Sequence, residues 1–144
     1  MGFRVMKQQQ SPLRIIDANL NRCREGLRVV EDFLRYALDD GALYKKVRGI
    51  RHCVDKILRD CYGSLIAERD IFSDSGRDMP ETMKKNLPDI ITANFKRAQE
   101  SLRVLEEYSK TAFPQVSPLF KKQRYAAYNC EKAVYLKYKK FFEN

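Results

Sequence analysis

Asn19 and Arg22 lie three residues apart in one stretch of the chain, and Asn94 and Arg97 repeat the pair further on. Between them falls Arg69-Asp70, followed by Asp74-Ser75-Gly76. Amides and guanidinium groups at helical spacing are donors suited to phosphate oxygens, and arginine meets them bidentately. Aspartates close by could share magnesium with the same phosphates. The chain does not carry the residues for several other chemistries. Its one histidine, His52, has no supporting nucleophile motif, which disfavours a Ser-His-Asp or Cys-His centre. Cys23, Cys53, Cys61 and Cys130 lack paired C-x-x-C spacing, so neither zinc nor haem is expected.

The elements that position these residues are duplicated. Ile15 to Leu38 reads IIDANLNRCREGLRVVEDFLRYAL, and 75 positions later Ile90 to Phe113 reads IITANFKRAQESLRVLEEYSKTAF, with 11 of 24 positions identical. The segment after each copy also recurs, LYKKVRGIRHCVDK from Leu43 against LFKKQRYAAYNCEK from Leu119. The polar positions that match are Asn19/Asn94, Arg22/Arg97, Glu25/Glu100, Arg28/Arg103 and Glu31/Glu106. Arg28 with Glu31, and their counterparts, read as solvated ion pairs three residues apart.

Ile16, Leu20, Cys23, Leu27, Val30, Leu34 and Ala37 form one apolar seam. A second runs beside it through Ile15, Asn19, Arg22, Gly26, Val29, Phe33 and Tyr36. Two adjacent seams give a helix two neighbours, as in a bundle. The second seam is polar at Asn19 and Arg22 and narrows at Gly26, and its copy has Asn94, Arg97 and Ser101. Two readings stand for it: a pocket floored by small residues, or a buried asparagine that sets helix register. Cys23 aligns with Ala98 and reads as a small buried apolar residue.

A chain of 144 residues suits a single domain with a real core, and 44% hydrophobic with 33% charged residues suits a helix-rich protein. No apolar run reaches the length of a membrane span and no secretory pattern opens the chain, so the expected location is the cytoplasm. The net charge of +9 favours anionic partners. The basic residues are dispersed rather than striped, which disfavours nucleic acid.

In order, residues 1–10 read as a loose leader, and Ser11-Pro12 as an N-cap with proline at the first helical position. The first helix should end near Leu38, where Asp39-Asp40-Gly41 supplies a turn, and a second should run continuously from about Ala42 to Ile66, antiparallel to the first. The segment Glu68 to Pro88 breaks the pattern with Ser73, Asp74, Ser75, Gly76, Pro80 and Pro88, apart from one short helix expected around Glu81 to Lys85. A third helix covers about Asp89 to Phe113 and a fourth Ser117 to about Phe142, its Tyr125, Tyr128, Tyr135 and Tyr138 reading as core or as a homo-oligomer interface. The fold expected is all-α: a four-helix bundle from a duplicated hairpin, 13–66 and 89–142, joined by an irregular linker at 67–88. An up-down-up-down order would bring both Asn-Arg pairs and the linker to one end.

The run from Arg14 to Asp32, the Arg51-His52 pair, Arg69-Asp70 with Asp74 and Gly76, and ANFKRAQESLRVLEE from Ala93 resemble a helical thiamine-biosynthesis family. Members occur alone or fused ahead of thiamine-phosphate synthase, and the family is proposed to be an alternative hydroxymethylpyrimidine-phosphate kinase, unlike the ribokinase-fold enzyme. The resemblance covers about Leu13 to Lys140. Where the family pattern is nearer D-V-G-T, this chain has Asp74-Ser75-Gly76-Arg77. No synthase barrel follows, so the stand-alone form is expected. The resemblance implies ATP and magnesium, with Arg22, Arg97 and Arg69 on phosphates and Asp70 and Asp74 on the metal. Asn19 and Asn94 would orient the pyrimidine or a phosphate, with Gly26, Ser101 and Gly76 beside substrate or nucleotide. No P-loop run is present. The alternatives are a non-catalytic module that binds a thiamine precursor or docks on the synthase, and, last, a basic helical oligomer on nucleic acid.

Overall fold

In the first copy, Ile16, Cys23, Leu27, Val30 and Leu34 are completely buried along one face of α1 (Leu13–Asp32) and the π-turn Phe33–Ala37 that ends it. The computed structural model describes residues 11–84 and 86–143, so the expected leader lies outside the described residues. The other helices are α2 (Gly41–Ile57), the short α3 (Tyr62–Ala67), α4 (Leu87–Ala112), α5 (Ser117–Lys137) and a terminal turn, α6 (Lys139–Glu143). Among the described residues there is no strand. In α4 the duplicate seam, Ile91, Phe95, Ala98, Leu102 and Leu105, is buried at the same spacing.

The structure is an all-α bundle. α1 packs on α2 and α4, and α5 packs on α4 and α2, so the four long helices close a ring around one core. The direction of α4 departs from the up-down-up-down expectation. Cys23 meets Ser101, whereas Gly26, one turn further along α1, meets Asn94, Arg97 and Ala98. Advancing along α1 means retreating along α4, so these helices are antiparallel about an approximate twofold axis. Lys137 and Tyr138, at the end of α5, bond Asp40 at the start of α2, so that pair is antiparallel too. Segment 68–86 therefore crosses the length of the bundle instead of turning at one end.

Gly26 explains how closely the two repeats meet. A Cβ there would lie 3.0 Å from the Asn94 carbonyl oxygen, so the glycine makes room for a neighbouring backbone rather than for a ligand. Its counterpart Ser101 directs its hydroxyl to the Ala98 carbonyl at 2.9 Å. Cys23 is buried as expected, and burial pushes its thiol up to about 12.

Other expectations need correction. The glutamates of the matched Arg-Glu pairs are not solvated: Glu31 is 0% and Glu106 6% exposed. Arg51 from α2 holds Glu31 through both Nε and Nη2, and Arg124 from α5 holds Glu106 at 2.9 and 3.1 Å. The i,i+3 arginines Arg28 and Arg103 sit at 3.9 Å on the rim. The first seam stops at Leu34, where the wider π-turn carries Ala37 into solvent, and the second is buried only at Asn19, Gly26 and Phe33, with Ile15, Arg22, Val29 and Tyr36 exposed. The second helix breaks at Leu58, through a 3-10 turn at Arg59–Cys61, before α3 returns Leu65 to the core. Ser11 does not cap α1, whose N-cap position is Pro12, and Ser117 is already helical, donating to the Glu106 carbonyl at 2.8 Å. No helix forms over residues 81–84. Of the four tyrosines of α5 only Tyr138 packs against the core, while Tyr125, Tyr128 and Tyr135 are at least 40% exposed.

Asp40 ties the upper end together. It caps α2 by accepting from the Leu43 amide at 3.0 Å and also receives Lys137 and Tyr138; the amide first, then these two side chains, hold its carboxyl far below the ordinary carboxylate range. A depressed folded pKa adds stability above the unfolded value of about 3.9 and loses it as pH falls through the folded one. Urea unfolding should therefore show stability flat near neutrality and falling below about pH 4. Asp40→Asn should lower the neutral plateau and flatten that acid limb; an identical acid limb in the variant would remove Asp40 as its source.

Candidate functional site

The turn that ends α3 brings Arg69 back to the first turns of α1, where its Nε and Nη2 donate to the two oxygens of Asp17, both at 2.8 Å. Asp17 is 4% exposed, and this pairing raises the pKa of Arg69 well above its usual value. The linker then folds over the exposed side of α1. Asp70 Oδ1 accepts the Phe72 and Ser73 amides at 3.0 Å, and Asp74 Oδ1 accepts the Gly76 amide at 3.0 Å. The Ser73 hydroxyl, then these amides, lower the pKa of Asp70. Arg14 donates to the Asp70 and Ser73 carbonyls, and Arg77 to that of Ile71.

Between α1 and this folded linker lies a cleft of about 670 Å³, within the size range of small-molecule sites. Arg14, Arg22, Arg69 and Arg77 line it together with Asp17, Asp70 and Asp74, and Asn19, Asn21, Ser73 and Ser75 add neutral polar groups. Arg14, Arg69 and Arg77 already serve backbone carbonyls or Asp17. Arg22 is exposed and, among the described residues, has neither a hydrogen-bond nor an ion-pair partner. A guanidinium with all its donors uncommitted at the edge of a polar cleft is equipped to bind an anion.

The expected site residues divide between two places. Asn19, Arg22, Arg69, Asp70 and Asp74 come together in the cleft, with Gly76 behind Asp74 in the same turn. Arg97 and Ser101 instead line a smaller depression of about 340 Å³ to one side of the twofold axis, shared with Asn19, Arg22, Glu100 and Val104. Asn94 and Gly26 lie across the axis from Asn19, packed against each other, so the two asparagines do not converge. Each asparagine donates its amide to the carbonyl four residues back, Asn19 to Ile15 at 2.9 Å and Asn94 to Ile90 at 2.8 Å.

Asp17, Arg14, Asn21, Ser73 and Arg77 were not singled out from the sequence. Matching the two copies selects what is shared, whereas Asp17 faces Thr92 and Arg14 faces Asp89 in the alignment. The signal that finds them is the opposite one: polar residues where one copy departs from the other, beside an insertion that follows only that copy. Among the described residues no three His, Cys, Asp or Glu side chains gather to hold a metal. Asp70 and Asp74 can offer oxygens only as a minority of a coordination shell, which fits a magnesium ion already carried on phosphates rather than a protein cage.

Helical bundle and arginine-lined cleft together define an all-α domain with a polar, anion-compatible site on one flank of its first helix. The ThiD2 family model matches residues 14–133, and the chain belongs to that family. It is 38% identical over 126 residues to a thiamine-phosphate synthase of Nostoc sp. (strain PCC 7120), covering 85% of this chain and 35% of that one. Thiamine-phosphate synthases of Gloeobacter violaceus and Synechococcus sp. (strain CC9605) are 38% and 39% identical, covering 86% and 82% of this chain and 36% and 34% of theirs. The chain thus spans about a third of the length of these relatives. No solved structure matches it.

Proposed function

We propose that this domain acts in thiamine biosynthesis as a kinase that uses ATP to convert hydroxymethylpyrimidine phosphate to the pyrophosphate. The observation that carries the reading is the uncommitted Arg22 at the junction of the cleft and the smaller depression. Family membership supports the pathway.

An oxygen of the substrate phosphate attacks the γ-phosphorus of ATP; that P–O bond forms as the bond from the γ-phosphorus to the β-bridging oxygen breaks, and its electron pair leaves with ADP. A phosphate ester with a second pKa of about 6 is already ionised at neutral pH, so no side chain has to remove a proton. The absence of histidine from the cleft lining is compatible with this step. What the protein must supply is position and positive charge. Arg22 would lie between donor and acceptor phosphates, Arg69 is braced in one orientation by Asp17, and Arg14 and Arg77 hold the linker against α1. Magnesium would neutralise charge on the reacting phosphates, with Asp70 and Asp74 of the cleft the residues to hold it.

A second reading, a docking module for thiamine-phosphate synthase, draws on the exposed apolar side chains of the linker, Phe72 at 85%, Met79 at 68% and Met83 at 88%. Incubating the protein with magnesium-ATP and hydroxymethylpyrimidine phosphate separates the two. Phosphorus NMR should show ADP and the pyrimidine pyrophosphate appearing in equal amounts. Absence of product with properly folded protein would refute the kinase and leave the docking reading.

A further inference from the structure

The smaller depression and the cleft share Asn19 and Arg22 but differ in what else they present. In the depression both neutral polar side chains already donate within their own helix, Asn19 to the Ile15 carbonyl and Ser101 to the Ala98 carbonyl. What remains is a pair of guanidiniums, Arg22 and Arg97, against one carboxylate, Glu100, and the apolar wall of Val104. Among the described residues neither arginine has a hydrogen-bond or ion-pair partner, although Glu100 stands three residues from Arg97. By contrast Arg28 and Arg103, the other duplicated arginines, each have carboxylate neighbours. With two guanidiniums against one carboxylate, this surface favours an anion. At about 340 Å³ it is near the lower limit for a small-molecule site and suits a chain of phosphates without its nucleoside. The cleft, about twice as large and furnished with Asn21, Ser73 and Ser75, has the hydrogen-bonding variety a heteroaromatic ring requires.

We infer that this depression beside the twofold axis is the polyphosphate subsite of the nucleotide donor, with Arg97 serving the donor alone and Arg22 bridging donor and acceptor. This assignment rests on the kinase reading for the identity of the acceptor, but the anion subsite itself is testable without turnover. The probe is inorganic tripolyphosphate, titrated calorimetrically into the full chain alongside the pyrimidine monophosphate. Arg97→Ala should weaken tripolyphosphate and ATP binding about tenfold or more, as loss of a charge-assisted contact does, and leave pyrimidine monophosphate binding unchanged. Glu100→Gln should tighten tripolyphosphate. Since Arg97 is exposed and has no partner among the described residues, both variants should keep the wild-type unfolding midpoint. Wild-type protein that fails to bind tripolyphosphate, or an Arg97→Ala variant that binds it normally or loses only the pyrimidine phosphate, overturns the subsite. Arg97-dependent binding in a protein that makes no pyrophosphate would uphold the subsite while refuting the kinase.

Discussion

Arg22→Ala should lower kcat/KM for ATP-dependent pyrophosphate formation by about 10²- to 10³-fold, the range seen when a preorganised donor to transition-state charge is removed. The loss is expected in kcat as well as in KM for both substrates, because among the described residues Arg22 is the one charged side chain common to the cleft and the depression. Arg22→Lys should recover part of the rate and not all of it, since an ammonium keeps the charge but not the planar fork that meets two phosphate oxygens. Stability should not change, for the side chain is exposed and has no partner among the described residues. Steady-state kinetics beside a thermal melt decides the matter. Normal turnover in a folded Arg22→Ala protein would remove this residue from the chemistry.

Glu31→Ala should be the most damaging stability change among the duplicated polar positions, about 3 kcal/mol, or a fall in melting temperature of roughly 10 °C. Glu31 is completely buried while Arg51 is 16% exposed, so the truncation leaves a guanidinium that is mostly desolvated and has lost its bidentate partner. Arg51 keeps only Asp55 at 4.0 Å. Arg28→Ala, on the rim of the same carboxylate, should cost about 0.3 kcal/mol. Equal costs for the two variants would show that the carboxylate is solvated after all. Glu106 and Arg124 repeat the arrangement in the second hairpin from a different turn of the partner helix: Arg124 aligns with Arg48, not with Arg51. The acid is retained and its base has moved, which is why comparing the two copies flagged the glutamate without revealing its partner.

Much of the fold was legible because helical burial is periodic. The seam from Ile16 to Leu34 and its copy from Ile91 to Leu105 could be read directly, and both are buried. Gly26 was legible as a position of special size but not in its purpose. A small residue on an inward face can open a pocket or admit a neighbour, and only the Asn94 carbonyl beside it distinguishes the two. Half of the candidate site could be anticipated from Asn19, Arg22, Arg69, Asp70 and Asp74. Asp17 could not, since a lone aspartate next to a buried isoleucine shows its role only when Arg69 arrives from 52 residues away.

The order of residues alone determined the duplication, the helices and the face each one buries, together with the stock of arginines from which an anion site can be made. Tertiary structure decided which way the second hairpin points, and with it that Arg22 and Arg97 meet beside the axis while Asn19 and Asn94 are carried apart. Periodicity defines a helix face without giving its direction. Nor does the connection choose: the 68–86 segment at about 3.3 Å per residue can extend about 60 Å, longer than the roughly 39 Å of a 26-residue helix. Either end of the bundle was within its reach, and the arrangement found is the one that sets Gly26 against the Asn94 carbonyl.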